Sequence, residues 1–240
     1  MRLADPFADS TLLAPAAPLT PRRGAAGTHP LHTRITATVF WIGEPKGGGS
    51  SEDNAVSAWD DAWLEHYGGY DDPARRSAEN DFFPTAFEPK ENPFYCDLPY
   101  DDFDGSSMPR ANRTLVVPWA ADYRSELAAA ARAGRPFSLL KNRWLRIGAN
   151  NGRDCYAQWE DSGPYVYDDA AYVFGASDVG PRSRRARNAG IDVSPAVRDC
   201  LGFAGLNDDE NVVDWQFVEE RDVPPGPWKR VVTTRQVFWP

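Results

Sequence analysis

At 240 residues, with 42% apolar and 25% charged side chains, the chain has an ordinary globular composition and length for one core plus a tail and long loops. Its net charge of −9 argues against a nucleic-acid surface, which works by neutralising phosphates with Lys and Arg. No stretch approaches the ~20 consecutive apolar residues of a membrane span, so the sequence reads as a soluble protein.

Residues 1–31 are rich in Ala, Pro and Thr without apolar periodicity, and a disordered N-terminal arm is expected there. The arm lacks the ~7 to 15 apolar residues of a secretory signal. From Arg34 onward, Ile35, Ala37, Val39 and Trp41 share one strand face by period two. Lys46-Gly47-Gly48-Gly49-Ser50-Ser51 follows as a flexible loop, without the Gly-Lys-Ser ending of a phosphate cradle. Ser57-Ala58-Trp59-Asp60 has a capping-box shape and predicts a helix through about Tyr67. Polar loop continues to residue 92, so 56–92 reads as an insertion. Phe94 to Pro99 predicts a short strand, stopped by Pro99 and Asp101-Asp102. Within a second insertion, 103–135, Pro118 starts a helix to Ala133, with Trp119, Tyr123 and Leu127 on its core-facing stripe and Gly134 ending it.

Trp144 to Gly148 alternates as a strand, and Asn151-Gly152 is a hairpin signal. The returning arm, Asp154 to about Glu160, sets Cys155, Ala157, Trp159 and Asp161 on one face and Tyr156, Gln158 and Glu160 on the other. Ser194-Pro195 is an N-cap with proline at the first helical position, and Gly202 closes that helix. Val213, Trp215 and Phe217 share a strand face, and Val231 to Trp239 predicts a last strand. Short strands, brief helices and no repeat predict a mainly β fold, a small barrel with helical insertions.

Three cysteines, Cys96, Cys155 and Cys200, permit one disulfide plus a free thiol or three buried thiols, and their spacing does not choose. There is no CxxC pair, and His29, His32 and His66 are the only histidines, so neither a zinc site nor a His-based triad has its raw material. No metal and no cofactor is expected. Nine Trp, nine Tyr and twelve Phe serve either as core or as flat surfaces on which sugar rings stack.

Asn151-Gly152-Arg153, seven residues, then Asp161-Ser162-Gly163-Pro164 resembles the hairpin and Asp-x-Gly-Pro turn of the rare-lipoprotein-A (RlpA) and expansin group. Gly190-Ile191-Asp192-Val193-Ser194, with Ala196 and Leu201-Gly202, is similar to that group's Ile-Asp-Leu-Ser segment. Val39-Phe40-Trp41-Ile42-Gly43 resembles its opening strand, and Leu98-Pro99-Tyr100 its Leu-Pro-Phe. The four blocks come in the family's order over residues 35–218. A set of bacterial proteins with Leu-Pro-Tyr-x-Asp, Gln-Trp-Glu-Asp-x-Gly-Pro and Val-Pro-Pro-Gly-Pro-Trp blocks is similar too. The resemblance implies a six-stranded double-psi β-barrel within residues 32–240, a polysaccharide or peptidoglycan partner, and an extracellular or periplasmic location. It also implies that Asp161 is a catalytic acid. The family's second functional residue, a His, falls on Tyr95, and a Tyr with a reference pKa of about 10 is a poor base near neutrality. In the related family-45 endoglucanases an Asp follows the first-strand Tyr-Trp; here Ile42 follows Trp41, with Glu44 close by.

Cutting a glycosidic bond needs an acid and usually a second carboxylate, although one carboxyl serves a transglycosylase in both roles. The catalytic candidates are Asp161, Asp101 and Asp102; the substrate contacts are Tyr95, Trp41, Trp159, Tyr165 and Glu44. Each has a plainer reading: Asp161 accepting turn amides, Asp101 and Asp102 shaping a turn, the aromatics filling core. Asp192 reads as a brace for the turn before its helix. Arg182, Arg184, Arg185 and Arg187 read as a solvated loop or a contact for anionic wall polymers. Three functions follow: a lytic transglycosylase or glycoside hydrolase, a non-catalytic expansin-like glycan-binding module, or an intracellular protein-interaction barrel. Fold alone does not choose among them, and the sequence is silent on oligomeric state.

Overall fold

A computed structural model describes residues 29–47, 50, 52–207 and 211–239. The arm expected over 1–31 lies outside these except for its last three residues, where the His29 ring sets its edge against Trp119 and Phe217. Six strands form: β1 (His32–Val39), β2 (Tyr95–Leu98), β3 (Arg143–Ala149), β4 (Asp154–Ser162), β5 (Ala189–Val193) and β6 (Val212–Val218). They close into a barrel in the order β1-β5-β2-β4-β3-β6. The pairs β1/β5 and β2/β4 are parallel and the others antiparallel. Consecutive strands β1 and β2 thus flank β5, while consecutive strands β4 and β5 flank β2. Among the described residues five short α-helices join them: α1 (Trp63–Tyr67), α2 (Arg113–Val116), α3 (Arg124–Ala133), α4 (Ala170–Val173) and α5 (Pro195–Leu201). Among the described residues no helix is long and apolar enough to cross a membrane.

The barrel interior follows from strand alternation. Val213, Trp215 and Phe217 of β6 face inward beside Leu145 and Ile147 of β3, which pair with Ala157 and Cys155 of β4. Trp159 stacks on Phe217 with ring centres 5.7 Å apart. The buried indole N–H of Trp215 donates to Tyr172 Oη at 2.8 Å, which in turn donates to Gly190 O at 3.0 Å. Each large apolar side chain removed from water in this way contributes roughly 1.5–3 kcal/mol.

Local signals operate as expected at the hairpin and at α5. Asn151 Oδ1 accepts the Arg153 amide at 3.0 Å and Gly152 takes a left-handed φ of 82°. Ser194 Oγ accepts the Val197 amide at 3.3 Å and donates to Pro93 O at 2.7 Å, so one hydroxyl caps α5 and pins it to the entry of β2. Three expectations are corrected. The helix expected from Pro118 is a turn and then a 3-10 segment over Ala120–Tyr123, and becomes α-helical only at Arg124. The helix expected from Ser57 starts only at Trp63, because Ser57 and Asp60 bridge each other and Asp60 Oδ1 accepts the Ala62 amide at 2.9 Å. Val231 to Trp239 is not a strand: a closed barrel leaves no edge to pair with, and the segment is instead held by the Gln158 side-chain amide and by an isolated bridge of Phe238 to Asp60. Gln158 Oε1 accepts the Thr233 amide and its Nε2 donates to Thr233 O, both at 2.9 Å.

Cys155 and Cys200 form a disulfide that ties β4 to α5 across 45 residues, leaving Cys96 as a buried free thiol. A loop of that length is worth up to ~4 kcal/mol in the chain-entropy picture. Thiol titration of the unreduced, denatured chain should find one thiol. Cys155→Ser with Cys200→Ser should lower the melting temperature by roughly 5–15 °C; three titratable thiols, or an unchanged midpoint, would contradict the link.

Candidate functional site

An irregularity in β4 builds the site. Cys96 pairs with Trp159, both facing inward, yet the next residue, Asp97, pairs with Asp161 rather than Glu160. Glu160 is therefore an extra residue, a bulge that turns the strand end. In a regular strand Asp161 would share the inward face of Trp159, as alternation suggests; the bulge transfers it to the outer face beside Asp97. On the other side of β2, Asp97 pairs with Asp192 of β5, which pairs with Thr38 of β1. Thr38, Asp192, Asp97 and Asp161 so form one row across four strands.

This row floors a cavity of about 130 Å³, open to solvent on one side. Its walls are the segment after β1, with Trp41 and Glu44, and the turn after β4, with Tyr165. The turn lies against the row through Gly163, whose amide donates to Leu98 O at 3.0 Å. A Cβ on Gly163 would stand 2.7 Å from Asp97 Oδ2, so only glycine permits this approach. The half-buried Asp161 is oriented by two amides: Oδ1 accepts from Ala58 at 2.7 Å and from Ser162 at 2.8 Å. Asp97 Oδ1 accepts the Asp192 amide at 3.1 Å, and Glu44 Oε2 accepts Asn54 Nδ2 at 3.3 Å.

Crowding acids away from water favours their protonated forms. Burial, with a smaller contribution from the charge of Asp101, raises Asp161 to about 7 against the pull of its two amides. Burial and then the charges of Glu44 and Asp161 raise Asp192 to about 8. Asp97 is pushed well above the carboxylate range by burial, then by Asp192 and Asp161, and burial lifts Glu44 to about 7. Among the described residues no group of three or more His, Cys, Asp or Glu converges so as to hold a metal ion.

Of the residues singled out from sequence, Asp161, Glu44, Trp41 and Tyr165 meet at this cavity. The others do not. Tyr95 shares the outer face with Asp97, but Phe40, Ile42 and Trp63 cover it completely. Its hydroxyl donates to Asp71 Oδ2 at 2.7 Å and accepts the Ile42 amide at 2.9 Å, so it is a strut. Trp159 is fully buried core, its indole N–H bonded to Asp161 O at 2.6 Å. Asp102 is fully buried and bracketed by Arg113, Ser138 and the Leu139 amide at 2.8–2.9 Å. Asp101 does not line the cavity; it accepts from Trp59 Nε1 at 3.1 Å and the Phe103 amide at 2.9 Å, with burial raising it to about 7. The arginine run borders the cavity: Arg185 lies over the Tyr165 ring at 5.6 Å and Arg187 bonds Asn207 O at 3.3 Å. Sequence reasoning missed Asp97 and gave Asp192 only a bracing role. The available signal was an acid in the middle of the apolar strand around Cys96 and Leu98.

These carboxyls make stability depend on pH. Unfolded, each ionises near pH 4; folded, Glu44, Asp101 and Asp161 hold their protons to about 7 and Asp192 to about 8. Folded values above unfolded ones mean stability that is complete below about pH 4, falls as pH rises, and is fully lost once pH passes 7–8. Buried His32, lowered to about 4, acts oppositely, but only below its ordinary 6.5. The melting temperature should fall by roughly 5 °C or more between pH 6 and 8.5, and Asp192→Asn should flatten that slope. A flat or rising profile in the wild type would contradict the buried row.

Compared with models of known protein families and with curated proteins, the chain matches none.

Proposed function

We propose that this chain is a double-psi β-barrel of the rare-lipoprotein-A and expansin type, that its acid-floored cavity binds polysaccharide, and that Asp161 acts there as a general acid. The topology reading is supported by the two interlocked crossings, β5 between β1 and β2 and β2 between β4 and β5. The catalytic reading is carried by one observation: Asp161 lies at a solvent-open cavity, beside Asp97, in surroundings that keep a proton near neutral pH. A general acid works best when its pKa lies close to the working pH.

With Oδ1 held by the Ala58 and Ser162 amides, Oδ2 is the oxygen left to protonate a glycosidic oxygen. As the bond to the leaving sugar breaks, the Asp161 carboxylate recovers a proton from the attacking hydroxyl, either water or a hydroxyl of the sugar itself. Asp97 takes the place of the absent family histidine as the second titratable group. Unionised it leaves room for the Asp161 charge; ionised it keeps the proton on Asp161. Trp41 and Tyr165 on the walls offer faces for sugar rings. The Cys155–Cys200 disulfide supports the extracellular or periplasmic location that the family resemblance implies, since such bonds persist in oxidising compartments.

A binding-only reading is favoured by the same two amides on Asp161 Oδ1, which also suit a residue that merely shapes a turn. Turnover and pull-down on insoluble peptidoglycan and cellulose separate the two. Asp161→Asn should lower turnover by ~100-fold or more, the scale of a lost general acid, while binding changes less than about threefold; Trp41→Ala should weaken binding by ~10-fold, as expected for a lost stacking face. Equal turnover in wild type and Asp161→Asn would leave only binding, and a wild type that neither cuts nor retains either polymer and binds no soluble glycan hexamer would refute the polysaccharide reading.

A further inference from the structure

Five acidic side chains, Glu44, Glu52, Asp97, Asp161 and Asp192, line the cavity, and among the described residues no Lys, Arg or His does. The flanking Arg185 and Arg187 belong to the rim, on Tyr165 and Asn207. Independently, two buried oxygens in the floor have no hydrogen-bond partner among the described residues: Thr38 Oγ1, on a residue only 9% exposed, and Asp192 Oδ1. Thr38 and Asp192 are paired across β1 and β5, and both line the cavity. Buried polar atoms without partners are costly, and such atoms facing a cavity mark where a ligand's donors belong. Both can accept, and one belongs to an acid surrounded by other acids. The matching ligand group is therefore a donor that carries positive charge.

We propose that the sugar bound over this floor is an amino sugar with a free, protonated amine, seated on Asp192 Oδ1 and Thr38 Oγ1. The inference rests on the polysaccharide reading and narrows its substrate class. An N-acetylated sugar would bring a single amide N–H without charge, and a uronic acid or phosphorylated sugar would bring a negative charge that opposes ionisation of the floor acids, whereas an ammonium beside Asp192 favours its ionised form.

The test measures calorimetric affinity for three probes of equal length: a glucosamine hexamer, an N-acetylglucosamine hexamer and a cellohexaose. The glucosamine hexamer should bind at least ~10-fold tighter than the other two, the scale of one charge-assisted hydrogen bond. Asp192→Asn, checked for folding by its thermal melt, should reduce that preference below about threefold. Thr38→Val provides a second route to the same loss without removing a charge. Glu79→Gln removes an exposed acid elsewhere and should leave the preference intact; if it lowers affinity as much as Asp192→Asn does, the attraction is a general one to an acidic protein and the amine seat is refuted. Equal or tighter binding of the acetylated or neutral hexamer overturns the amine inference while the polysaccharide reading stands. If none of the three hexamers binds and neither insoluble polymer is retained, both fall.

Discussion

The arrangement of this protein turns on three carboxyls held side by side across β5, β2 and β4. Strand pairing leaves Asp192, Asp97 and Asp161 no freedom to separate, because each is fixed by the ladder that carries it. Ionising all three in a confined space is prohibitively unfavourable, so the barrel keeps protons there that solvent would remove. A flexible loop would relax away from this stress. A closed barrel with a Trp-rich interior does not, and the surrounding devices follow from holding it. Gly163 lets the turn approach Asp97, two amides fix Asp161, and the bulged Glu160 is turned outward and paired with buried Lys141.

The outer face of β2 shows a division of labour along four residues. At one end Tyr95 joins Asp71, with Tyr67 Oη at 2.8 Å and Arg76 Nη2 at 2.5 Å completing the shell of that buried acid. This network clamps the 56–92 segment onto the barrel. Two residues on, Asp97 faces the cavity. The position where the resemblance would place a histidine holds a structural tyrosine, and the acid that faces the cavity lies one step further along the same strand face. A tyrosine makes a durable strut and a poor base, while burial and the neighbouring acids Asp192 and Asp161 push Asp97 well above the carboxylate range.

Much of the scaffold was legible in the sequence because its signals are local. The Asn151-Gly152 hairpin, the Ser194–Gly202 helix and the alternating strand around Trp215 each depend on residues within a few positions of one another. The final segment was misread because an extended, apolar stretch looks the same whether it pairs in a sheet or is held by a side chain such as Gln158 and an isolated bridge at Phe238. The site was half legible. Asp161, Glu44, Trp41 and Tyr165 came from motif and proximity, but the row needed the register of three strands far apart in sequence. The Glu160 bulge, which decides the face on which Asp161 lies, leaves no mark in the residue pattern. Tyr95 and Trp159 were misplaced for the converse reason: alternation tells which face a side chain takes, not whether another segment covers it.

The most direct test is a carboxyl titration by carbon-13 NMR of the labelled protein, with Asp161→Asn and Asp192→Asn used for assignment. The account predicts that Asp161 and Glu44 titrate near 7 and Asp192 near 8, with Asp97 above the ordinary range. It also predicts that removing Asp192 lowers the value of Asp97, since one neighbouring charge is gone. If all four carboxyls titrate independently near pH 4, they are solvated and separate, and neither a buried acid row nor a neutral-pH general acid exists.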